Sequence, residues 1–194
     1  TGELIISKAA SETNAQCIGR LVTEVDTITY MPEVEDMGFW PQVKSNSFKA
    51  EDGDYYTSID GVLYSKNTDG TLNLVAYPRL KADTEFVLPD NVISIYVPKN
   101  NGWNDGLKKI TTFTLNNDLK EIKNDYKDFK YLTKVIVPKD VIQISPQIWS
   151  AFAGCLEEVE VEEGNTAFKA VDGVLYSADG ETLLCCPKEG KFTV

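Results

Sequence analysis

Asp60-Gly61-Val62-Leu63-Tyr64-Ser65 recurs letter for letter as Asp172-Gly173-Val174-Leu175-Tyr176-Ser177, 112 residues further along the chain. The surrounding sequence is also similar, since Phe48-Lys49-Ala50 precedes the first copy and Phe168-Lys169-Ala170 precedes the second. An exact internal repeat in a chain of 194 residues predicts an array of stacked units rather than a globular enzyme built around a single site.

Each copy has the sequence features of a β-hairpin. An Asp-Gly pair between apolar residues favours a two-residue type I′ turn, because both central positions of that turn require positive φ. In the second copy we predict strands over 167–171, 174–177 and 182–186, with turns at Asp172-Gly173 and Asp179-Gly180. A calcium-binding loop is the alternative interpretation, but one carboxylate per turn supplies too few oxygen ligands for calcium.

A second pattern, with a period of about 22–27 residues, lies between the two copies. A leucine is followed by aliphatic residues three and five positions later, and the successive sets are Leu107 with Ile110, Leu132 with Val135 and Val137, and Leu156 with Val159 and Val161. Pro89 and Pro138 each close a short strand, Phe86-Val87-Leu88 and Val135-Ile136-Val137.

This period falls in the range of leucine-rich repeats. Alternate residues of each strand point inward, so stacked coils share one apolar interior that a single coil has no means to bury alone. The sequence therefore predicts a β-rich leucine-rich repeat solenoid, a right-handed superhelix of short strands with turns and short helical segments on the convex side.

Composition and charge narrow the function. The formal net charge of −11 argues against nucleic acid and anionic membrane surfaces as partners, because both attract basic faces. No apolar run approaches the length of a membrane span. Histidine is absent, which excludes Ser-His-Asp and Cys-His catalysis, and the four cysteines form no Cys-x-x-Cys pair. We expect no catalytic residues, no metal and no cofactor.

The cysteines leave two interpretations open. We favour small buried thiols, and the alternative is a disulfide between Cys155 and either Cys185 or Cys186.

Residues 1–45 show no clear repeat. Leu4-Ile5-Ile6 and Ile28-Thr29-Tyr30 have the composition of short strands, so we expect this region to be an N-terminal cap or a degenerate repeat, with the remnant of a preceding domain as a further alternative. The repeat domain is expected over 46–194. The chain begins at Thr1 without a signal-like segment, so we expect a processing boundary there.

Residues 46–194 resemble the BspA-like leucine-rich repeat family. The resemblance rests on the Asp-Gly-Val-Leu-Tyr-Ser phrase, on an aliphatic-Pro-x-x-Val pattern, and above all on Ala151-Phe152-Ala153-Gly154-Cys155-Leu156-Glu157-Glu158-Val159. The segment 127–132 and the loop 99–106 depart from the pattern. The resemblance implies a secreted or surface-anchored bacterial protein with no catalytic residues, acting in adhesion to host extracellular matrix proteins or to other cells.

The predicted function is a non-enzymatic extracellular binding module for a protein ligand, acting in adhesion or host interaction through the concave strand face. The alternative is a carbohydrate-binding or structural spacer domain of a bacterial surface glycan system. The outward residues of the strands are the first candidate site, with charge passing from positive to negative across three strands, and the alternative is a solvated face with no ligand. Its members are Lys108, Lys109, Lys134, Ile136, Glu157, Glu158 and Glu160.

The polar, glycine-rich loop 99–106 is the second candidate site, because it carries Trp103. A tryptophan on such a loop stacks on a sugar ring or anchors a protein interface, and the alternative is a ring that folds back to cover the core.

Overall fold

The computed structural model describes residues 2–12, 23–37, 43–96, 105–123, 129–152 and 154–187. The chain divides into two units, one made of Thr1–Ala82 and Ile95–Leu107 and the other of Asp83–Ser94 and Lys108–Val194. Each unit is built from short strands stacked coil upon coil with few helical residues, so the predicted β-rich solenoid of leucine-rich repeat type is confirmed. The division into a cap over 1–45 and a repeat domain over 46–194 stays a prediction.

The first unit begins with three parallel strands, β1 (Glu3–Ile6), β2 (Glu24–Tyr30) and β3 (Lys44–Ala50), and a short helix α1 (Lys8–Glu12) follows β1. Leu4 lies opposite Ile28 and Ile28 opposite Phe48, so each coil takes 20 to 24 residues. Ile28 and Phe48 are buried in the apolar core of the unit. The strands expected near Leu4 and Ile28 are confirmed. Both belong to the same parallel sheet as β3, which includes residue 45, the expected end of the N-terminal region.

The first copy of the repeated phrase forms the predicted hairpin. Its antiparallel strands are β4 (Tyr56–Ile59), β5 (Val62–Lys66) and β6 (Leu72–Ala76). Asp60 and Gly61 have φ of 50° and 76°, as a type I′ turn requires. The turn docks on β3, because the Gly61 carbonyl accepts a 2.7 Å hydrogen bond from the Phe48 N–H.

A parallel sheet of four strands dominates the second unit. In sheet order its strands are β7 (Glu85–Val87), β9 (Thr112–Thr114), β11 (Lys134–Val137) and β12 (Glu158–Val161). A 3-10 helix (Asp105–Lys109) precedes β9, and a two-turn helix α2 (Pro146–Phe152) lies between β11 and β12. The remaining strands of the central coils are β8 (Val92–Tyr96) and β10 (Glu121–Lys123).

Phenylalanine rings fill the interior behind this sheet. The Phe113 ring centroid lies 5.6 Å from that of Phe86, 5.5 Å from that of Phe129 and 5.7 Å from that of Phe152. The Phe129 and Phe152 rings meet edge to face at 5.3 Å. Such contacts favour one arrangement of successive coils, because edge-to-face pairs add about 0.5–1.5 kcal/mol to the free energy of burial.

Two asparagines each connect their own coil to the preceding one by hydrogen bonds. Asn116 Nδ2 donates to the carbonyls of Pro89 and Val92 at 2.7 and 3.0 Å, while its Oδ1 accepts from the N–H groups of Asp118 and Leu119. Asn165 makes the same four bonds, to Pro138 and Val141 on one side and to Ala167 and Phe168 on the other. Each amide therefore bonds two carbonyls of the preceding coil and two backbone N–H groups of its own coil.

The second copy of the phrase also forms its predicted hairpin, from β13 (Phe168–Val171), β14 (Val174–Ser177) and β15 (Leu183–Cys185). Asp172 and Gly173 have φ of 51° and 77°. The Gly173 carbonyl accepts a 2.8 Å hydrogen bond from the Val159 N–H, so β12 stands to this hairpin as β3 stands to the first.

The similar flanking tripeptides are not structural counterparts. Phe48 lies in β3 of a parallel sheet, whereas Phe168 begins β13, the first strand of the second hairpin. In the first hairpin the position of β13 is taken by β4, whose sequence Tyr56-Thr57-Ser58-Ile59 does not resemble it.

Candidate functional site

The outward side of the four-stranded sheet presents its side chains in two rows. In the order β7, β9, β11, β12 the first row is Glu85, Thr112, Lys134 and Glu158, and the second row is Val87, Thr114, Ile136 and Glu160. Neighbouring strands lie about 4.8 Å apart, so each row spans about 14 Å. We call these eight residues the strand face.

Alternation along each strand fixes which residues form the strand face. The intervening residues Phe86, Phe113, Val135 and Val159 are at most 8% exposed, because they point into the core. By contrast Val87 is 66% exposed and Ile136 is half-buried. Thr114 lies between Val87 and Ile136 and presents a methyl group beside its hydroxyl, so the second row offers two aliphatic side chains and one methyl group to a partner. We call these three residues the aliphatic strip.

Lys134 is the positive charge of the strand face. Its Nζ lies 2.5 Å from a carboxylate oxygen of Glu160 and 2.9 Å from one of Glu158. The hydrogen bonds that it donates to Glu160 and Glu158 hold the pKa of its ammonium group above the ordinary value. The ammonium is therefore drawn toward β12 and is compensated there.

The sign of the strand face is negative. One lysine stands against three glutamates, which leaves a net charge of −2 at neutral pH. Because Lys134 offsets one of its two partners, the net charges lie at the ends of the face, one at Glu85 on β7 and one beside β12. The expected passage from positive to negative across the strands is therefore wrong.

Four of the predicted site residues do lie together on the strand face: Lys134, Ile136, Glu158 and Glu160. Lys108 and Lys109 do not, and the prediction that they lie on a strand is wrong. They end the 3-10 helix that precedes β9, three residues or more before the strand begins.

The two lysines fall outside the strand because β9 pairs with β11 in a register three residues later than the one expected from Leu107. The Thr111 carbonyl accepts from the Thr133 N–H, and the Thr133 carbonyl accepts from the Glu157 N–H. Ile110 therefore takes the place of Leu132, and Phe113 lies opposite Val135.

The other two predicted residues lie outside the strand face as described. Glu157 is exposed and directly precedes β12, where its N–H bonds to the Thr133 carbonyl at 2.8 Å. Trp103 lies outside the described residues, so its role stays a prediction.

Sequence reasoning missed the half of the strand face on β7 and β9. The missing residues are Glu85, Val87, Thr112 and Thr114. The signal was available for β7, because Pro89 follows Phe86-Val87-Leu88 as Pro138 follows Val135-Ile136-Val137. The two prolines mark equivalent ends, so β7 belongs in the same sheet as β11.

The parallel sheet of the first unit has a different outward side. Thr27 Oγ1 and Ser47 Oγ lie 2.9 Å apart, and the Thr29 hydroxyl donates to the Glu3 carboxylate. Lys49 Nζ lies 2.6 Å from a Glu51 oxygen. These polar groups bond to one another along the sheet.

An open cavity of about 360 Å³ lies elsewhere in the second unit, lined by Asn117, Asp118, Leu119, Lys120, Gln143, Ile144 and Ser145. Two of its polar groups already have backbone partners. Asn117 Oδ1 accepts from the Ile142 N–H at 3.0 Å, and Asp118 Oδ2 accepts from the Asn91 N–H at 3.1 Å. These bonds connect the surrounding turns, so a structural role explains why Asn117 and Asp118 line the cavity.

Three cysteines among the described residues are free thiols. Cys155 Sγ lies 3.1 Å from the Phe129 carbonyl oxygen as its donor, so the alternative of a disulfide to Cys185 or Cys186 is not realised. Burial, with a smaller effect of Cys186, raises the pKa of Cys185 to about 12. Cys155 and Cys185 are half-buried and Cys186 is exposed, so the expectation of buried thiols is wrong for these three residues. In the described ranges no three Cys, Asp or Glu side chains are arranged as a metal site.

Comparison with known proteins gives structural likeness only. No family model and no curated protein matches the chain. Among solved structures, it is similar to a leucine-rich cell surface protein from Faecalibacterium prausnitzii (15% identity, TM-score 0.26, 72% of this chain and 48% of that one). It is also similar to a leucine-rich repeat protein from Eubacterium ventriosum (17%, TM-score 0.40, 71% and 42%) and to the pneumococcal vaccine antigen PcpA (14%, TM-score 0.36, 73% and 47%).

The matched chains are longer, and this chain spans less than half the length of each. In the part of the chain that the structure describes, no helix has the length and apolar character needed to cross a bilayer.

Proposed function

We propose that this chain is a non-enzymatic binding module of a secreted or cell-surface bacterial protein, acting in adhesion or in contact with host proteins through the strand face. The observation that carries the proposal is the exposure of the aliphatic strip, which crosses β7, β9 and β11 on an otherwise polar sheet surface. Exposed aliphatic side chains gain free energy when a partner protein covers them.

The chemistry of the chain supports a binding role over a catalytic one. It contains no histidine, and its strand face carries carboxylates and one lysine that bond to one another. A flat row of side chains held by a rigid sheet suits an extended contact with a macromolecule, whereas catalysis on a small substrate favours a concave pocket. Host extracellular matrix proteins are the first candidate partners.

The proposal is tested by binding to immobilised fibronectin, laminin and collagen. Val87→Asp and Ile136→Asp place a charge in the strip, and we expect each to weaken binding about tenfold or more, as for a residue at the centre of an interface. Ile142→Asp is the matched control, because Ile142 is 61% exposed and lies outside every sheet. Circular dichroism checks that all variants are folded. Equal binding by the wild type and both strip variants would remove the proposal.

A glycan-binding or spacer role is the second candidate. It rests on Trp103 and on Tyr131, which is 56% exposed with Lys130 Nζ 5.0 Å from its ring centroid. Aromatic rings on a surface stack on sugars. In the same assay, competition by soluble polysaccharide that is lost in Trp103→Ala, with the strip variants unaffected, selects this candidate.

A further inference from the structure

We infer that the strand face takes a basic, extended segment of a partner protein, in which two lysine or arginine side chains flank an aliphatic one. The inference rests on the proposed function, since it names the partner chemistry of the same surface. It follows from the placement of charge, the placement of the aliphatic strip, and the distance between them.

The charges favour a cationic partner. Glu85 lies on β7 at one end of the strand face, and Glu158 and Glu160 lie on β12 at the other end, where both contact the ammonium of Lys134 from β11. Each end therefore carries one net negative charge, and an anionic partner meets repulsion at both. The net charge of −11 on the whole chain adds a long-range attraction for cations.

The aliphatic strip sets what lies between the two cations. Val87, Thr114 and Ile136 occupy β7, β9 and β11, in the row beside Glu85 and Lys134. Thr114 and Ile136 lie between the two charged ends, so an aliphatic side chain of the partner covers the half-buried Ile136. Val87 lies on the same strand as Glu85 and is 66% exposed, so the methylene stem of the cation at that end covers it. A basic segment without an aliphatic residue leaves this strip in water and gains less from binding.

The dimensions specify the spacing in the partner. Glu85 on β7 and Glu158 on β12 are separated by three strand spacings, about 14 Å. An extended chain advances about 3.4 Å per residue, so side chains at positions i and i+4 also lie about 14 Å apart, and positions i, i+2 and i+4 share one side. The expected motif is therefore a cation at i, an aliphatic residue at i+2 and a cation at i+4.

The probe is a synthetic peptide with lysine, threonine, isoleucine, threonine and lysine in that order within a glycine-serine frame. Two matched peptides replace both lysines by glutamate, or exchange the isoleucine for a serine. Fluorescence polarisation measures the dissociation constants. We expect the first peptide to bind more tightly than either matched peptide, and its binding to weaken as salt is added.

The variant Glu85→Gln/Glu158→Gln makes both ends of the strand face neutral, since Lys134 then pairs with Glu160 alone. Loss of two exposed charge contacts is expected to weaken binding of the peptide about 2- to 30-fold. Glu163→Gln/Glu181→Gln is the control, because it removes the same two charges at exposed positions off the sheet. The control is expected to stay within about twofold of the wild type.

The outcomes separate this inference from the proposed function. If the glutamate peptide binds as tightly as the lysine peptide, or the control weakens binding as much as the face variant, the partner chemistry inferred here is wrong. If that result accompanies loss of matrix-protein binding in Val87→Asp, the proposed function stands with a different partner. If the lysine peptide binds and responds to the face variant while Val87→Asp leaves matrix binding intact, the inference stands and the proposed matrix partners fall.

Discussion

The two hairpins have six identical residues and the same turn, but they differ in what covers their third strand. Tyr64 pairs with Leu74 in the first hairpin, and Tyr176 pairs with Leu183 in the second. Leu74 is 0% exposed and Leu183 is 51% exposed. Among the described strands, β6 has neighbours on both sides whereas β15 is an edge.

This difference separates two kinds of information in one phrase. The backbone of the turn depends on Asp-Gly alone, and it is the same in both copies within a degree or so of φ. The burial of the strands depends on the coil that packs against them, and no residue of the phrase specifies that coil. The valine and leucine of the phrase are therefore buried in both copies, whereas the third strand is a core element in the first hairpin and partly exposed in the second.

The largest expected effect comes from shortening the paired leucines. Leu74→Ala is expected to lower the free energy of unfolding by about 2–5 kcal/mol, because it leaves a cavity in a buried site. Leu183→Ala is expected to cost below about 1 kcal/mol, because half of that side chain is already in water. Urea unfolding of both variants measures the two values, and similar losses would mean that the third strand of the second hairpin is covered in solution.

Substitution of the two turn glycines is expected to lower the free energy of unfolding less than Leu74→Ala does, and by similar amounts at the two positions. Gly61→Ala and Gly173→Ala each place a side chain at positive φ, which costs about 1–2 kcal/mol. The added Cβ also meets the Cβ of Ser47 at 3.0 Å or that of Glu158 at 3.1 Å. Gly70→Ala is the control, since its φ is 84° and nothing lies within 4 Å of the new atom.

Thermal and urea unfolding of the three glycine variants isolates the docking of the turns. Gly61→Ala and Gly173→Ala are expected to lose more stability than Gly70→Ala by a similar margin. A loss at only one of the two turns would show that the hairpins dock differently on β3 and β12.

The smallest effect is expected at the tyrosines of the phrase. The Tyr64 hydroxyl is buried and has no hydrogen-bond partner among the described residues, so Tyr64→Phe is expected to be neutral or to stabilise by up to about 1 kcal/mol at pH 7. Burial, with smaller effects of Tyr77 and Asp60, raises the pKa of Tyr64 well above its ordinary value. The same substitution in the second hairpin, Tyr176→Phe, is the matched comparison.

The raised pKa gives this prediction a pH signature. The folded state keeps the Tyr64 proton to higher pH than the unfolded state does. The free energy of unfolding therefore does not depend on the titration of Tyr64 below about pH 10, and it falls as pH rises further because the unfolded state loses this proton first. Unfolding measured from pH 8 to pH 11 is expected to show a shallower decline for Tyr64→Phe, by up to about 1.4 kcal/mol per pH unit above pH 10. An unchanged decline would contradict a buried, neutral Tyr64.

The sequence was sufficient to predict the hairpins and the coil period, because both depend on local patterns. It was insufficient to choose the register before β9, since Leu107-x-x-Ile110 and Ile110-x-x-Phe113 have the same spacing of apolar residues. The choice is made by contacts distant in sequence, in which the Phe113 ring meets those of Phe129 and Phe152.

The distribution of charge on the strand face also depends on contacts between residues distant in sequence. Lys134 and Glu158 are 24 residues apart in the chain, and only the pairing of β11 with β12 makes them neighbours. Sequence reasoning found Lys134, Ile136, Glu158 and Glu160 because alternation along one strand is local. It missed the neutralisation of Lys134 because cross-strand contacts follow from the register.

Asn116 and Asn165 determine where one repeat ends and the next begins. Each reaches back 27 residues to a proline carbonyl and 24 residues to a valine carbonyl. Each asparagine thus lies in one coil of the chain, while its side-chain amide stabilises the turn of the preceding coil. Cutting the chain between Pro89 and Asn116, or between Pro138 and Asn165, would separate each asparagine from the carbonyls that it bonds. The segments that can be exchanged with these bonds intact therefore run from the proline to the last backbone amide that the asparagine accepts from, 89–119 and 138–168.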